Sequence, residues 1–278
     1  MNQTTEERKQ GAIIGHALGD ALGAPVEFYP YAHYTGELSS PIVRYTRAYG
    51  KQTSSIGQTT DDTEMALVLL QTINSGYTKE KAIINYMLWA NNNFNGCKGK
   101  SPFMGKNTRN LFAAPKSTQK LYINRFNKYY PDDTTKENSQ SNGPLMRAYP
   151  LAFIKDTNII RTDVEITNPS ILCYNAVFAY VMAIKMSLEG ETKKDIEVYV
   201  RSVIEHNDLS VAFEQAVNNE FRDVTKSRGH IVHAFYCAFW GLFQFDNYKS
   251  AIDAIISLSP EPNVPAKFCE PGKWKKKK

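Results

Sequence analysis

The chain has 278 residues, 42% hydrophobic, 12% aromatic and 22% charged, which excludes a disordered or fibrous protein and suits one large domain or two small ones. Its formal net charge of +5 hints at nucleic acid, but the closing KWKKKK holds five lysines and leaves the remaining body neutral. Such a run carries charge without a reading surface, so it reads as a solvated end, with a weak nucleic-acid or nuclear-import patch as the functional alternative.

The opening MNQTTEERKQ is polar, and the apolar stretch after it is interrupted by His16 and Asp20, so neither a signal peptide nor a membrane span is read there. Cys97, Cys173, Cys237 and Cys269 are scattered with no CxxC pair, which reads as reduced thiols in a cytoplasmic protein. No linker composition interrupts the middle. The organisation expected is a polar segment over 1–10, one helical domain over 11–258 and a Pro/Lys-rich tail over 259–278.

In chain order, Thr4 and Glu7 have capping-box spacing, and a helix is predicted from about Glu6 to Gly23, ended by Pro25. Gly11, Gly15, Gly19 and Gly23 recur every fourth residue along one slowly rotating face. Each costs about 1 kcal/mol relative to alanine, so that face is expected to meet another backbone or a ligand closely, tight helix packing being the plainer reading. Asp20 lies one turn after His16, and Glu27 follows beyond Pro25; together with Asp61 and Asp62 they could form converging carboxylates.

GQTTDDTEMALVLL, residues 57–70, is the stretch around which the chain is organised. Asp61 and Asp62 sit between threonines at the mouth of a helix that is apolar on every face from Met65 to Ile73, so the polar cluster is held at the end of a buried element. Asp61 and Glu64 have capping-box spacing, and acidic groups meet the helix dipole favourably there. One cap needs one carboxylate, whereas Asp61, Asp62 and Glu64 put three negative charges within a turn. A hard cation such as Mg²⁺ or Ca²⁺ would neutralise them through oxygen ligands.

Beyond the Asn74-Ser75-Gly76 stop, Thr78 opens a helix carrying Ile83 and Met87. Asn91 to Lys100 reads as a loop, Phe103 to Phe112 as a short helix entered through a glycine turn, and Ser117 to Lys128 as another helix. The polar stretch YYPDDTTKENSQSNG reads as a long connection, and its Asp132-Asp133-Thr134 copy as solvated loop. Long helices follow from Thr167-Asn168-Pro169 to Gly190, from Thr192 to Glu205 and from Leu209 to Glu220. A buried helix opens at Gly229, and an amphipathic segment runs from Tyr248 to Leu258. His230 and His233, three apart, could share a metal, but a histidine satisfied by backbone or carboxylate is the commoner outcome. Period-two alternation is nowhere sustained, so the fold class is all-α.

With these residues in view, the chain resembles the ADP-ribosylglycohydrolase family. The resemblance is carried by GAIIGHALGDALGAPVEF, TTDDTEMAL, MGKNTRNLF, SNGPLMRAYPLA, TNPS and GHIVHAFYCAFWGLF, from about Gly11 to Leu258. It implies a single compact orthogonal helical bundle and a hydrolase that removes ADP-ribose from modified protein side chains or small molecules with a pair of Mg²⁺ ions. By motif match, Thr60, Asp61 and Asp62 would be metal ligands, Glu27 the acidic residue near the scissile bond, and Asn142 and Gly143 part of the ligand loop.

Two departures stand out. Some members carry Asp-Ile-Gly where this chain has Phe103-Met104-Gly105. The family also continues into Gly-Gly-Asp-Thr-Asp-Thr and a small-residue helix, where this chain reads ISLSPEPNVPAKFCEPGKWKKKK, with no aspartate after Asp253. That change resembles a truncation, a shifted frame or an evolved loss. It leads one to expect at most a half-site for metal, an uncovered glycine face, and either marginal stability or a partner filling the gap. A catalytically dead ADP-ribose-binding or structural relative is the alternative reading.

Overall fold

Glu7 Oε2 accepts the Thr4 N–H at 2.7 Å and Thr4 Oγ1 accepts the Glu7 N–H at 3.2 Å, the reciprocal capping box that starts α1 (Thr5–Gly23). The computed structural model describes residues 4–24, 42–46, 50–54, 56–91, 104–114, 116–224, 227 and 229–258. A hairpin of β1 (Ile42–Thr46) and β2 (Gly50–Ser54) follows, antiparallel with Ile42 opposite Ser54. Among the described residues the remaining elements are helices: α2 (Asp61–Asn74), α3 (Lys79–Ala90), α4 (Lys106–Phe112), α5 (Gln119–Tyr129), α6 (Asp133–Glu137), α7 (Gly143–Met146), a 3-10 helix (Tyr149–Phe153), α8 (Asn158–Thr167), α9 (Ile171–Glu189), α10 (Lys193–Val203), α11 (Asn207–Val217), α12 (Ile231–Gln244) and α13 (Tyr248–Ser257). The class is therefore all-α, as the missing period-two pattern implies, with one hairpin added.

The core is centred on α9, whose Leu172, Cys173, Ala176, Val177 and Val181 are buried against α1, α7, α8, α10, α12 and the 3-10 helix. By length and apolarity α9 could cross a membrane, and half of that stretch is buried inside the protein. It stops at Gly190, which takes the left-handed conformation at φ +92°. The Arg8 guanidinium of α1 donates to the carbonyls of Leu188 (3.3 Å) and Ser187 (3.5 Å), placing a positive charge at the negative end of the α9 dipole. Deeper in the core, Arg147 Nε donates to Asp163 Oδ2 at 3.0 Å, Arg147 Nη2 to the Asp163 carbonyl at 2.9 Å, and the Tyr86 hydroxyl to Asp163 Oδ1 at 2.9 Å. Both charges are fully buried, and each is satisfied by the other.

Several sequence expectations are corrected. The Asp132-Asp133-Thr134 copy is not loop: Asp132 caps α6 in a capping box with Thr135, so the polar connection is partly helical. The Asp61–Glu64 capping box does not form, because the cap of α2 is Thr60, one residue earlier. In α2, Met65, Ala66, Val68, Leu69 and Thr72 are buried while Leu67 is 39% exposed, so the apolar run is not enclosed on every side. Helix α8 has no counterpart in the sequence reading. It buries Ile160, Asp163, Val164 and Ile166, and its buried aspartate masked the apolar periodicity.

The glycine face of α1 divides in two. Gly15 and Gly19 face Tyr248 and Ile252 of α13, and the Tyr248 hydroxyl donates to the Gly15 carbonyl at 2.6 Å. Gly11 and Gly23 have nothing packed where a β-carbon would stand. The close approach is thus by a tyrosine side chain, at two of the four positions.

Candidate active site

Gly57, at φ +70°, turns the chain toward the start of α2, and the last turns of α1 arrive beside it. Thr60 takes the N-cap conformation, and its Oγ1 accepts the Asp62 N–H at 3.3 Å. The amides of Thr60 and Thr63 are met from α1. Asp20 Oδ2 accepts from the Thr60 N–H (2.8 Å), the Thr63 N–H (3.2 Å) and the Thr63 hydroxyl (2.7 Å), while Asp20 Oδ1 accepts from the Thr60 hydroxyl (2.8 Å). A carboxylate at the positive end of a helix, holding four donors, fixes α1 and α2 in one register.

The acidic residues at this helix start point to different partners. Asp61 Oδ2 accepts the Gly105 N–H at the cap of α4, at 3.1 Å. Glu64 Oε2 accepts the indole N–H of Trp89 in α3, at 2.8 Å. Asp62 and Thr60 line a cavity of about 1030 Å³ that runs along α1. Asn142 and His16 line it as well, and its far part is apolar, between α1, α12 and α13.

Asn142 is held by its backbone. Its N–H donates to the Gly229 carbonyl at 2.7 Å, and the adjacent Ile231 N–H donates to the Gln140 carbonyl at 2.9 Å, so residues 140–142 and 229–231 form a short bridge. Asn168 Nδ2 braces that bridge by donating to the Ser139 carbonyl at 2.8 Å. Gly143 opens α7 and does not line the cavity. The His16 ring packs tilted against Tyr149, with centroids 4.8 Å apart, and its Nε2 is buried with no hydrogen-bond partner among the described residues. Burial lowers the His16 pKa, against the opposing pull of Asp20 and the Asp62 backbone, and favours the neutral ring.

Of the residues picked from the sequence, Thr60, Asp62 and Asn142 are brought to one cavity, with Asp61 next to them but turned to α4. Glu27 lies outside the described residues. His230 and His233 are satisfied histidines. His230 caps α12 and its Nε2 meets Gln140 Oε1 at 3.0 Å, while His233 Nδ1 receives the Arg222 Nε–H at 3.4 Å. The sequence reading gave His16 no role, and its one signal was the i,i+4 spacing to Asp20 on the glycine helix. The donors Thr60 Oγ1, Asp61 and Asp62 are all oxygen, the type that a hard cation takes. No group of three or more His, Cys, Asp or Glu able to hold a metal occurs among the described residues. The set thus fits one Mg²⁺ keeping several waters, not an all-protein cage.

The sequence profile described as ADP-ribosylglycohydrolase matches residues 1–261. The chain belongs to the ADP-ribosylglycohydrolase family. A protein of Acanthamoeba polyphaga mimivirus named for ADP-ribosyl glycohydrolase activity is 25% identical over 291 residues, covering 92% of this chain and 83% of its own. ADP-ribosylarginine hydrolase Tri1 of Pseudomonas putida is 25% identical over 266 residues, covering 92% of this chain, and this chain spans 66% of that relative's length. A solved structure of an ADP-ribosylglycohydrolase-related protein complex superposes with a TM-score of 0.67 at 20% identity, over 92% of this chain and 82% of that one, a likeness of fold. The all-helical ADP-ribosylglycohydrolase architecture agrees with the opening glycine helix and with the helix that begins at TTDDTEMAL.

Proposed function

We propose that this ADP-ribosylglycohydrolase is a Mg²⁺-dependent hydrolase of the glycosidic bond between ADP-ribose and a modified protein side chain or small molecule. The observation that carries the reading is the placement of Thr60 and Asp62 on a cavity of about 1030 Å³, large enough for a nucleotide-sized ligand. The relatives' names, one of them an ADP-ribosylarginine hydrolase, support the substrate class.

In this reading Thr60 Oγ1, Asp61 and Asp62 hold the cation. Bound there, Mg²⁺ would supply charge stabilisation at ribose hydroxyls and acidify a water. The chain's own groups do the rest. Asn142, on its braced loop, hydrogen-bonds the ligand, and Gly143 keeps that loop free of a side chain. Tyr149 and His16 wall the polar end of the cavity against bulk water. Glu27 is assigned as the general base that takes a proton from the attacking water as the bond at the anomeric carbon breaks through an oxocarbenium-like state. We propose a cytoplasmic site of action.

A second reading is an ADP-ribose-binding protein without turnover, favoured by the absence of a three-ligand cluster among the described residues. The deciding experiment titrates ADP-ribose calorimetrically with and without Mg²⁺, on the wild type and on an Asp61→Ala, Asp62→Ala double variant, and assays release of ADP-ribose from ADP-ribosylarginine. Metal-dependent binding with turnover, both lost in the variant, is expected. Binding without turnover would leave the second reading, and metal-independent binding retained by the variant would remove the role given to Thr60–Asp62.

A further inference from the structure

Asp20 lines the same cavity as Thr60 and Asp62, and the obvious assignment would make it another cation ligand. Its hydrogen bonds argue otherwise. Two carboxylate oxygens offer about four acceptor positions. Here three donors crowd Oδ2, the Thr60 and Thr63 amides and the Thr63 hydroxyl, and the Thr60 hydroxyl engages Oδ1, at 2.7–3.2 Å. Oδ2 is thus fully engaged and Oδ1 already takes the Thr60 proton, so the carboxylate is committed to holding the start of α2.

The same bonds act on Thr60. A hydroxyl has one proton and two lone pairs. The Thr60 proton goes to Asp20 Oδ1, and one lone pair takes the Asp62 N–H. The remaining lone pair is then fixed in direction, on a residue that lines the cavity. With Asp20 removed, the hydroxyl would rotate, and its proton would compete for the space a cation needs.

We infer that Asp20 is a positioning residue: it holds the Thr60 hydroxyl with its proton turned inward and a lone pair presented to the cavity, and it fixes the backbone from which Asp62 projects. The inference rests on the proposed cation site. It assigns to the last full turn of α1 a role that the ligand residues alone do not contain.

The test compares Asp20→Asn with Thr63→Val, using Mn²⁺ as the probe. The second variant deletes one of the four bonds to Asp20 but leaves Thr60 and Asp62 untouched, so it reports the purely structural cost of loosening the α1–α2 junction. Mn²⁺ affinity is measured by calorimetry and by the paramagnetic resonance signal of free ion, and folding by thermal melting without metal. Expected is a loss of about 10–100-fold in affinity for Asp20→Asn, the range found when groups behind metal ligands are removed, with affinity within about threefold of wild type for Thr63→Val even if its melting temperature falls as far. Wild-type affinity in Asp20→Asn, or an equal loss in both variants, would overturn the positioning role alone. A folded wild type that binds no Mn²⁺ would overturn the inference together with the site on which it rests.

Discussion

The indole N–H of Trp89 lies 2.8 Å from Glu64 Oε2, and this bond takes Glu64 out of the acidic cluster to which its sequence position assigns it. Trp89 is 2% exposed, so its N–H has no water to fall back on. Glu64→Ala should cost about 1–3 kcal/mol for the unsatisfied donor, seen in urea unfolding. Its Mg²⁺ affinity should stay near wild type while Asp62→Ala loses it. Equal loss in the two variants would mean that all three carboxylates act together.

The glycines of α1 should respond to alanine with opposite signs. Gly11 has open space where a β-carbon would go, so Gly11→Ala should gain up to about 1 kcal/mol from helix propensity. At Gly19 the added carbon would stand 3.0 Å from the Tyr248 hydroxyl, which is pinned by its bond to the Gly15 carbonyl. Gly19→Ala should therefore destabilise, and Tyr248→Phe in the same chain should recover part of the loss. Melting of the four-member cycle measures that coupling.

Separating Arg147 from Asp163 should be among the most damaging single changes. Asp163→Leu would strand a buried guanidinium and the Tyr86 hydroxyl, at a cost of about 3–5 kcal/mol. Chemical unfolding should register a midpoint shift of that size; a shift below about 1 kcal/mol would mean that water reaches the pair.

Cys173 and Cys237 should be chemically silent in the folded protein. Burial pushes both thiols up to about 12 from an ordinary value near 9, so at pH 8 neither carries appreciable thiolate. Peptide mapping after iodoacetamide at pH 8 should find both unmodified until denaturant is added. Because their folded pKa is raised, the stability tied to the neutral thiols is complete below pH 9 and declines as pH rises from 9 toward 12.

Much of this architecture is legible in the residues because local signals agree with the final packing. Thr4 with Glu7, Thr78, Thr192 and Gly190 each mark a helix end where the chain in fact starts or stops one. The site was legible as composition but not as geometry. Spacing could show that Asp61, Asp62 and Glu64 crowd one turn. It could not show that Trp89, 25 residues away, would draw Glu64 aside, or that Gly105, 44 residues away, would take one oxygen of Asp61. Nor could spacing reveal what braces the start of α2, since Asp20 of α1 reaches Thr60 from 40 residues away. Helix α8 went unread for a related reason: Asp163 looks like a surface residue until Arg147 is placed against it.

The bonds that hold α1 also set when it can be held. Arg8 waits for carbonyls about 180 residues later, and Gly15 for a hydroxyl 233 residues later. At a synthesis rate of about 5–20 residues per second, α1 leaves the ribosome roughly 10–50 s before Tyr248 exists to meet it. During that interval the opening helix, with four glycines and few partners of its own, has little to keep it helical. The junction of Asp20 with Thr60 is available early, but the helix that presents Asp20 is secured at both ends only when the last described helix docks. Completion of the polar pocket is therefore tied to the synthesis of α13, and a nascent chain stalled before it would carry the core without a finished site.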